Sequence, residues 1–158
     1  MKKPRQRVLI VGAASPLGCA VMHHFANQGV PVIACDDASH AAFLGGFKKG
    51  LGAAKEQITI QTGEMDDPTF ALGAELEEQL EDKSVRVFYL AHIRDRHLRA
   101  AEIKRRNRLV RTRLLETAQR LDQLQSLVVV TDVGLAGDYP GRFSESWVNV
   151  GQIPFDEV

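Results

Sequence analysis

The sequence predicts an α/β fold: a doubly wound parallel sheet of at least five strands, with helices on both faces. Three observations support it. Short apolar runs alternate with helical patterns from Arg7 to Thr131, the first run ends in a glycine-punctuated turn, and an acidic residue closes the second. Alternation of this kind favours parallel strands joined by right-handed crossovers, which place helices on both sides of a sheet.

The elements follow in order. Arg7 to Gly12 is a short apolar run ending in glycine, the pattern of a strand buried on both faces. Pro16 to Gln28 carries Leu17, Ala20, Val21 and Phe25 at helical spacing, and Gly29 stops the helix. Val30 to Cys35 reads as the second strand, with Pro31 near its start, where a missing donor is tolerated. Asp36 to Lys55 is interrupted by glycines at 45, 46, 50 and 52, and reads as a loop with a helical piece. Gln57 to Gln61 alternates like a third strand. Pro68 to Asp82 forms an acidic helix with Leu72, Leu76 and Leu80 on one stripe. Ser84 to Ala91 gives a fourth strand, His97 to Leu121 a long helix, and Leu124 to Thr131 a fifth strand. Beyond Thr131 the chain is rich in turn residues.

Composition bounds the function. The 158 residues are the size of one domain, and 44% apolar content supplies a core. Twenty basic residues balance twenty acidic ones, which argues against nucleic acid as a partner of the whole domain. Cys19 and Cys35 sit within apolar runs, without disulfide or metal spacing. His23 and His24 are neighbours rather than an i, i+4 pair, so no metal site is expected. No secretory signal and no membrane-spanning run is visible, so the expectation is a cytoplasmic protein with no membrane partner.

The turn from Gly12 through Ala14, Ser15, Pro16 and Leu17 to Gly18 is the candidate cradle for a dinucleotide's pyrophosphate, in a Rossmann-like arrangement. Such a phosphate needs backbone amides at a helix N-terminus and no side chain in the way. Gly12 sits where the chain turns sharply, and Gly18 lets helix and sheet approach. Ser15 is suited to cap the helix, with Pro16 in the first helical position. Asp36 lies 24 residues after Gly12, near the offset expected of a carboxylate that accepts both adenosine ribose hydroxyls. It repels a 2′-phosphate, and Asp37 beside it is followed by no Arg or Lys, so NAD is expected in preference to NADP. Glycine punctuation of an ordinary strand–turn–helix and a solvated turn aspartate are the plainer readings of these two features.

With Gly12-x-x-Ser15-x-x-Gly18, Gly29 and Asp36 in place, the sequence resembles the extended short-chain dehydrogenase/reductases, the NAD-dependent epimerase/dehydratase group. Later segments agree in order. The resemblance implies that Glu64 and Met65, within Gly63-Glu64-Met65-Asp66-Asp67, meet the adenine. It also implies that Leu90, Ala91 and His92, at the end of strand four, line the nicotinamide ribose, and that Asn107 supports the site from the long helix. Asn107 shares the inward stripe of Ile103, Val110, Leu114 and Leu121, so a core amide tying helix to backbone is equally consistent.

The same resemblance locates catalysis at a Ser or Thr after strand five and at a Tyr-x-x-x-Lys pair. The candidates for the first are Thr131 and Asp132. An aspartate there puts negative charge beside a developing alkoxide, which is electrostatically unhelpful unless it is protonated. Tyr-x-x-x-Lys is absent, since only Tyr89 and Tyr139 occur and no lysine follows Lys104. The chain is therefore expected to be a single domain over residues 1–158. It is read as the N-terminal part of a longer oxidoreductase or epimerase, acting on a nucleotide-sugar-like or other hydroxy or carbonyl small molecule. The contrasting reading is a non-catalytic dinucleotide-binding sensor or interaction protein. Nine Lys and Arg fall between Arg94 and Arg113, spread around the helix without interleaved aromatics. They read as a solvated, ion-paired face rather than a nucleic-acid patch. The resemblance implies a homodimer through this helix, and its charges argue against a purely apolar seam.

Overall fold

A computed structural model describes residues 6–64, 80, 83–91 and 99–130. Five strands, β1 (Gln6–Val11), β2 (Val32–Asp37), β3 (Ile58–Gly63), β4 (Ser84–Tyr89) and β5 (Leu124–Val129), form one sheet. All neighbours are parallel, in the order β3-β2-β1-β4-β5. The helices are α1 (Pro16–Asn27), α2 (Ala41–Gly50) and α3 (Ala100–Arg120). The chain winds outward from β1 to β3, then crosses back to β4 on the other side of β1. That reversal opens a crevice at the carboxyl ends of β1 and β4, where ligands of such sheets bind.

The burial pattern explains why β1 and β2 read as unbroken apolar runs. Val8 and Ile10 of β1, with Val32 and Ala34 of β2, face a cluster containing Met22, Phe25 and Ala26 of α1 and Leu44 of α2. Leu9 and Val11, with Ile33 and Cys35, face the opposite cluster, which holds Val110 and Leu114 of α3. Successive strand side chains point to opposite faces, so a strand covered on both sides must be apolar at every position. Each fully buried Val, Leu or Ile contributes about 1.5–3 kcal/mol through removal from water. The inward stripe of α3 runs through Val110 and Leu114 to partly buried Leu121, and Asn107 is half-buried in line with it.

Several boundaries differ from the sequence expectation. The segment after β2 is more helical than a loop with one helical piece. A 3-10 turn (Ala38–His40) leads into α2, and a second (Gly52–Gln57) leads out. Two glycines inside α2 cost about 1 kcal/mol each relative to alanine. Burial of Leu44 and the packing of Phe47 and Leu51 offset that cost. Strand β2 starts at Val32 and continues through Asp36 and Asp37, so the acidic pair belongs to the strand itself. Cys35 is buried, whereas Cys19 is only half-buried. The acidic helix expected over 68–82 lies outside the described residues, apart from Leu80, which is helical and buried in the α3-side cluster.

Candidate dinucleotide site

Because every strand is parallel, the carboxyl ends of all five lie along one edge, and several of the predicted residues lie there. Gly12 follows β1, and its amide donates to the carbonyl of Cys35 at 2.9 Å, as does that of Ala13 at 3.2 Å. These bonds bend the chain over the end of β2. Gly12 has φ +87°, and a Cβ built on it would stand 2.6 Å from the Ala91 nitrogen and 2.7 Å from the Leu90 carbonyl carbon. Glycine is required there on both counts. At Gly18 an added Cβ would meet the carbonyl oxygen of Ala13 at 2.5 Å, so this position allows the start of α1 to rest on the turn.

Ser15 caps α1. Its Oγ accepts from the Gly18 amide at 3.0 Å and donates to the Gly12 carbonyl at 3.0 Å, while Pro16 occupies the first turn. Pro16 and Leu17 are exposed, and the first turn of α1 carries no acidic side chain. The positive end of the helix dipole thus meets no acidic side chain from its own first turn; the nearest carboxylate is that of Asp36, bonded to the Ala14 amide at 2.6 Å.

Asp36 is 6% exposed, and its carboxylate is heavily engaged. Oδ2 accepts from the Ala14 amide at 2.6 Å; Oδ1 accepts from the Asp37 amide at 2.7 Å and pairs with Nδ1 of His40 at 2.7 Å. A carboxylate offers about four acceptor positions, so roughly one remains. The acid therefore ties the glycine turn to the end of β2. Asp37 is more open. Burial pushes its carboxyl up, but the Ser39 amide and hydroxyl, with His40 and Arg106, outweigh it and hold the group below its ordinary value.

Arg106 was not visible as part of this site in the sequence. It reaches from α3 to Glu64 beyond β3, at 3.4 Å, and its charge is felt at Asp37. The separation of 42 residues from Glu64 hides the contact from any local pattern. Leu90 and Ala91 are half-buried against Gly12, and the Leu90 amide donates to the Val11 carbonyl at 2.8 Å. The structure thus brings Gly12 to Gly18, Asp36, Asp37, Glu64, Leu90 and Ala91 to one edge. Asn107 lies on α3, one residue from Arg106. Met65, His92, Thr131 and Asp132 lie outside the described residues. Elsewhere on α3, Arg105 pairs with Glu102 at 2.7 Å and Arg113 with Glu116 at 2.9 Å. Among the described residues there is no group of three His, Cys, Asp or Glu placed to hold a metal ion. Nor is any described helix long and apolar enough to cross a membrane.

The sheet order, the capped glycine turn and the crevice between β1 and β4 define a dinucleotide-binding domain of the Rossmann type. The chain belongs to the NAD dependent epimerase/dehydratase family, whose profile matches residues 8–152. No curated protein matches it in sequence. Among solved structures it is similar to the terminal R domain from the myxalamid PKS-NRPS biosynthetic pathway, with TM-score 0.67, 16% identity and 91% of this chain covered. It is also similar to UDP-glucose 4-epimerase from Bifidobacterium longum in complex with NAD+ and UDP (TM-score 0.64, 16% identity, 88% covered). A third similar structure is dTDP-glucose 4,6-dehydratase from Bacillus anthracis in complex with NAD (TM-score 0.61, 19% identity, 89% covered). The chain spans about two fifths of these structures: 38%, 41% and 42% of their lengths, respectively.

Proposed function

We propose that this chain is the cofactor domain of an NAD-dependent oxidoreductase or epimerase, and that it holds NAD in preference to NADP. The observation that carries the preference is Asp36, a carboxylate fixed at the end of β2 beside the glycine turn. Its negative charge repels a 2′-phosphate, and its remaining acceptor position suits a ribose hydroxyl. The residues present fit the group. The N-terminus of α1 suits the pyrophosphate, with no acidic side chain in its first turn, and Gly12 and Gly18 keep side chains out of the turn. Glu64 is assigned to the adenine end, and Leu90 and Ala91 to the nicotinamide ribose. Met65, His92 and Asn107 are assigned to the same site on the family resemblance alone.

When bound, the nicotinamide accepts and returns a hydride. The protein's part in this segment is to bind and orient the cofactor. These 158 residues contain no Tyr-x-x-x-Lys, so the role proposed for them stops short of proton transfer. In this reading the domain is the N-terminal portion of a longer enzyme acting on a hydroxy or carbonyl small molecule. The two-fifths coverage of the three structures named above supports that arrangement.

Calorimetric titration of NAD and NADP in parallel tests the proposal. NAD is expected to bind at least tenfold more tightly, and Asp36→Asn to erase most of the difference. Equal or tighter NADP binding by the unaltered protein would overturn the role of Asp36. No binding of either cofactor would overturn the reading as a whole.

A further inference from the structure

Asp36, the acidic residue assigned above to the cofactor's ribose, is shared with a histidine. Nδ1 of His40 lies 2.7 Å from Asp36 Oδ1, the oxygen that already accepts the Asp37 amide. His40 closes the 3-10 turn that follows β2, and its side chain is 51% exposed against 8% for Asp36. It stands between the buried carboxylate and solvent and occupies one of the acceptor positions that a ribose diol would use.

Resting on the reading of this edge as a dinucleotide site, we propose that His40 is a specificity-determining residue that sets the preference between NAD and NADP according to pH. A neutral imidazole donates one hydrogen bond and leaves the charge of Asp36 intact, so a 2′-phosphate is repelled. A protonated imidazole cancels much of that charge, holds Oδ1 more firmly against the ribose hydroxyl, and offers its outer N–H to an anion. Acidification therefore weakens NAD and favours the phosphorylated cofactor. Imidazole is the side chain whose charge changes between pH 5 and 8.

The titratable groups around the pair include the thiols of Cys19 and Cys35, both raised by burial and by the charge of Asp36. Asp37 shares the end of β2 and feels the His40 charge directly, and Arg106 reaches the same carboxylate from α3. Glu64 beyond β3 pairs with Arg106. On α2, which begins immediately after His40, the basic residues Lys48 and Lys49 lie in its last turn, away from the pair. One added positive charge beside a phosphate, in a setting between protein and water, is worth roughly tenfold in affinity.

The experiment measures Kd for NAD and for NADP by calorimetry at steps between pH 8 and 5.5, for the unaltered full chain and for His40→Asn. Asparagine places an amide donor near the position of Nδ1 without a titrating charge. The 2′-phosphate itself gains a proton near pH 6 in both proteins, so the comparison between them isolates the histidine. The ratio Kd(NADP)/Kd(NAD) is expected to fall on acidification by about tenfold more in the unaltered protein than in His40→Asn. Parallel pH profiles in the two proteins, with both cofactors bound, would overturn the role of His40 and leave the site standing. Binding of neither cofactor to the unaltered protein would overturn the site and the role together.

Discussion

Gly12 is the position at which a single methyl group tests the architecture most directly. Two separable costs attach to Gly12→Ala. The first is conformational: at φ +87° an L side chain is strained, by about 1–2 kcal/mol. The second is steric, because the new Cβ would lie 2.6–2.8 Å from backbone atoms of Leu90 and Ala91. Backbone cannot swing aside as a flexible side chain does, and overpacking of this kind costs about 1–3 kcal/mol. The sum is about 2–5 kcal/mol, a large part of the 5–15 kcal/mol typical of a whole domain. Gly29 supplies the control. It has φ +72°, and a Cβ added there would meet nothing within 4 Å, so Gly29→Ala carries the conformational cost alone. Urea unfolding followed by circular dichroism compares the two. With m near 2 kcal/mol/M, the midpoint is expected to fall by about 1–2.5 M for Gly12→Ala and by about 0.5–1 M for Gly29→Ala. Equal losses in the two variants would refute the claim that the turn is packed against the end of β4.

Two further outcomes follow from the same geometry. Ser15→Ala removes the cap on α1 and is expected to cost about 1 kcal/mol in urea unfolding, with Ser15→Asn recovering most of it; a neutral Ser15→Ala would show that the Gly18 amide finds another acceptor. Burial pushes the Cys35 thiol up to about 12, and the charge of Asp36 adds to that shift. At pH 8 the thiolate is therefore a minute fraction. Ellman's reagent is expected to react slowly with Cys19, whose thiol is also raised by burial and by Asp36, and to reach Cys35 only on unfolding. Two rapid equivalents from the native protein would contradict the burial of Cys35.

The order of elements was legible because two-sided burial leaves an unmistakable mark. Val8 to Val11 and Val32 to Cys35 are apolar at each position for one physical reason, and the turn residues that follow them are those a strand–helix junction requires. Helix α2 was harder to read. Its glycines argue against a helix when propensity is weighed alone, and the burial of Leu44 with the packing of Phe47 and Leu51 decides otherwise. For the candidate site, the sequence shows which residues follow which strands but not how they connect. A sequence shows that Asp36 follows the glycine turn at a suitable distance. It does not show that the carboxylate is bonded to Ala14 and His40, because those bonds depend on how two strands and a 3-10 turn are set in space. Arg106 escaped for the same reason, since it arrives from a helix that follows a different strand.

The bond between Asp36 and the Ala14 amide has a consequence for anyone wishing to redesign the cofactor choice of this domain. In the proposed reading, the acid that would discriminate at one end of the dinucleotide is also a strut for the turn that would hold its middle. Exchanging it for a small neutral residue, the usual first step toward a phosphorylated cofactor, removes the repulsion and the strut at once. A redesign that keeps its grip needs a replacement acceptor for the Ala14 amide, such as an asparagine carbonyl, before any new positive charge is added. On that reading discrimination and affinity share one bond, and the acceptor is best replaced before the charge is changed.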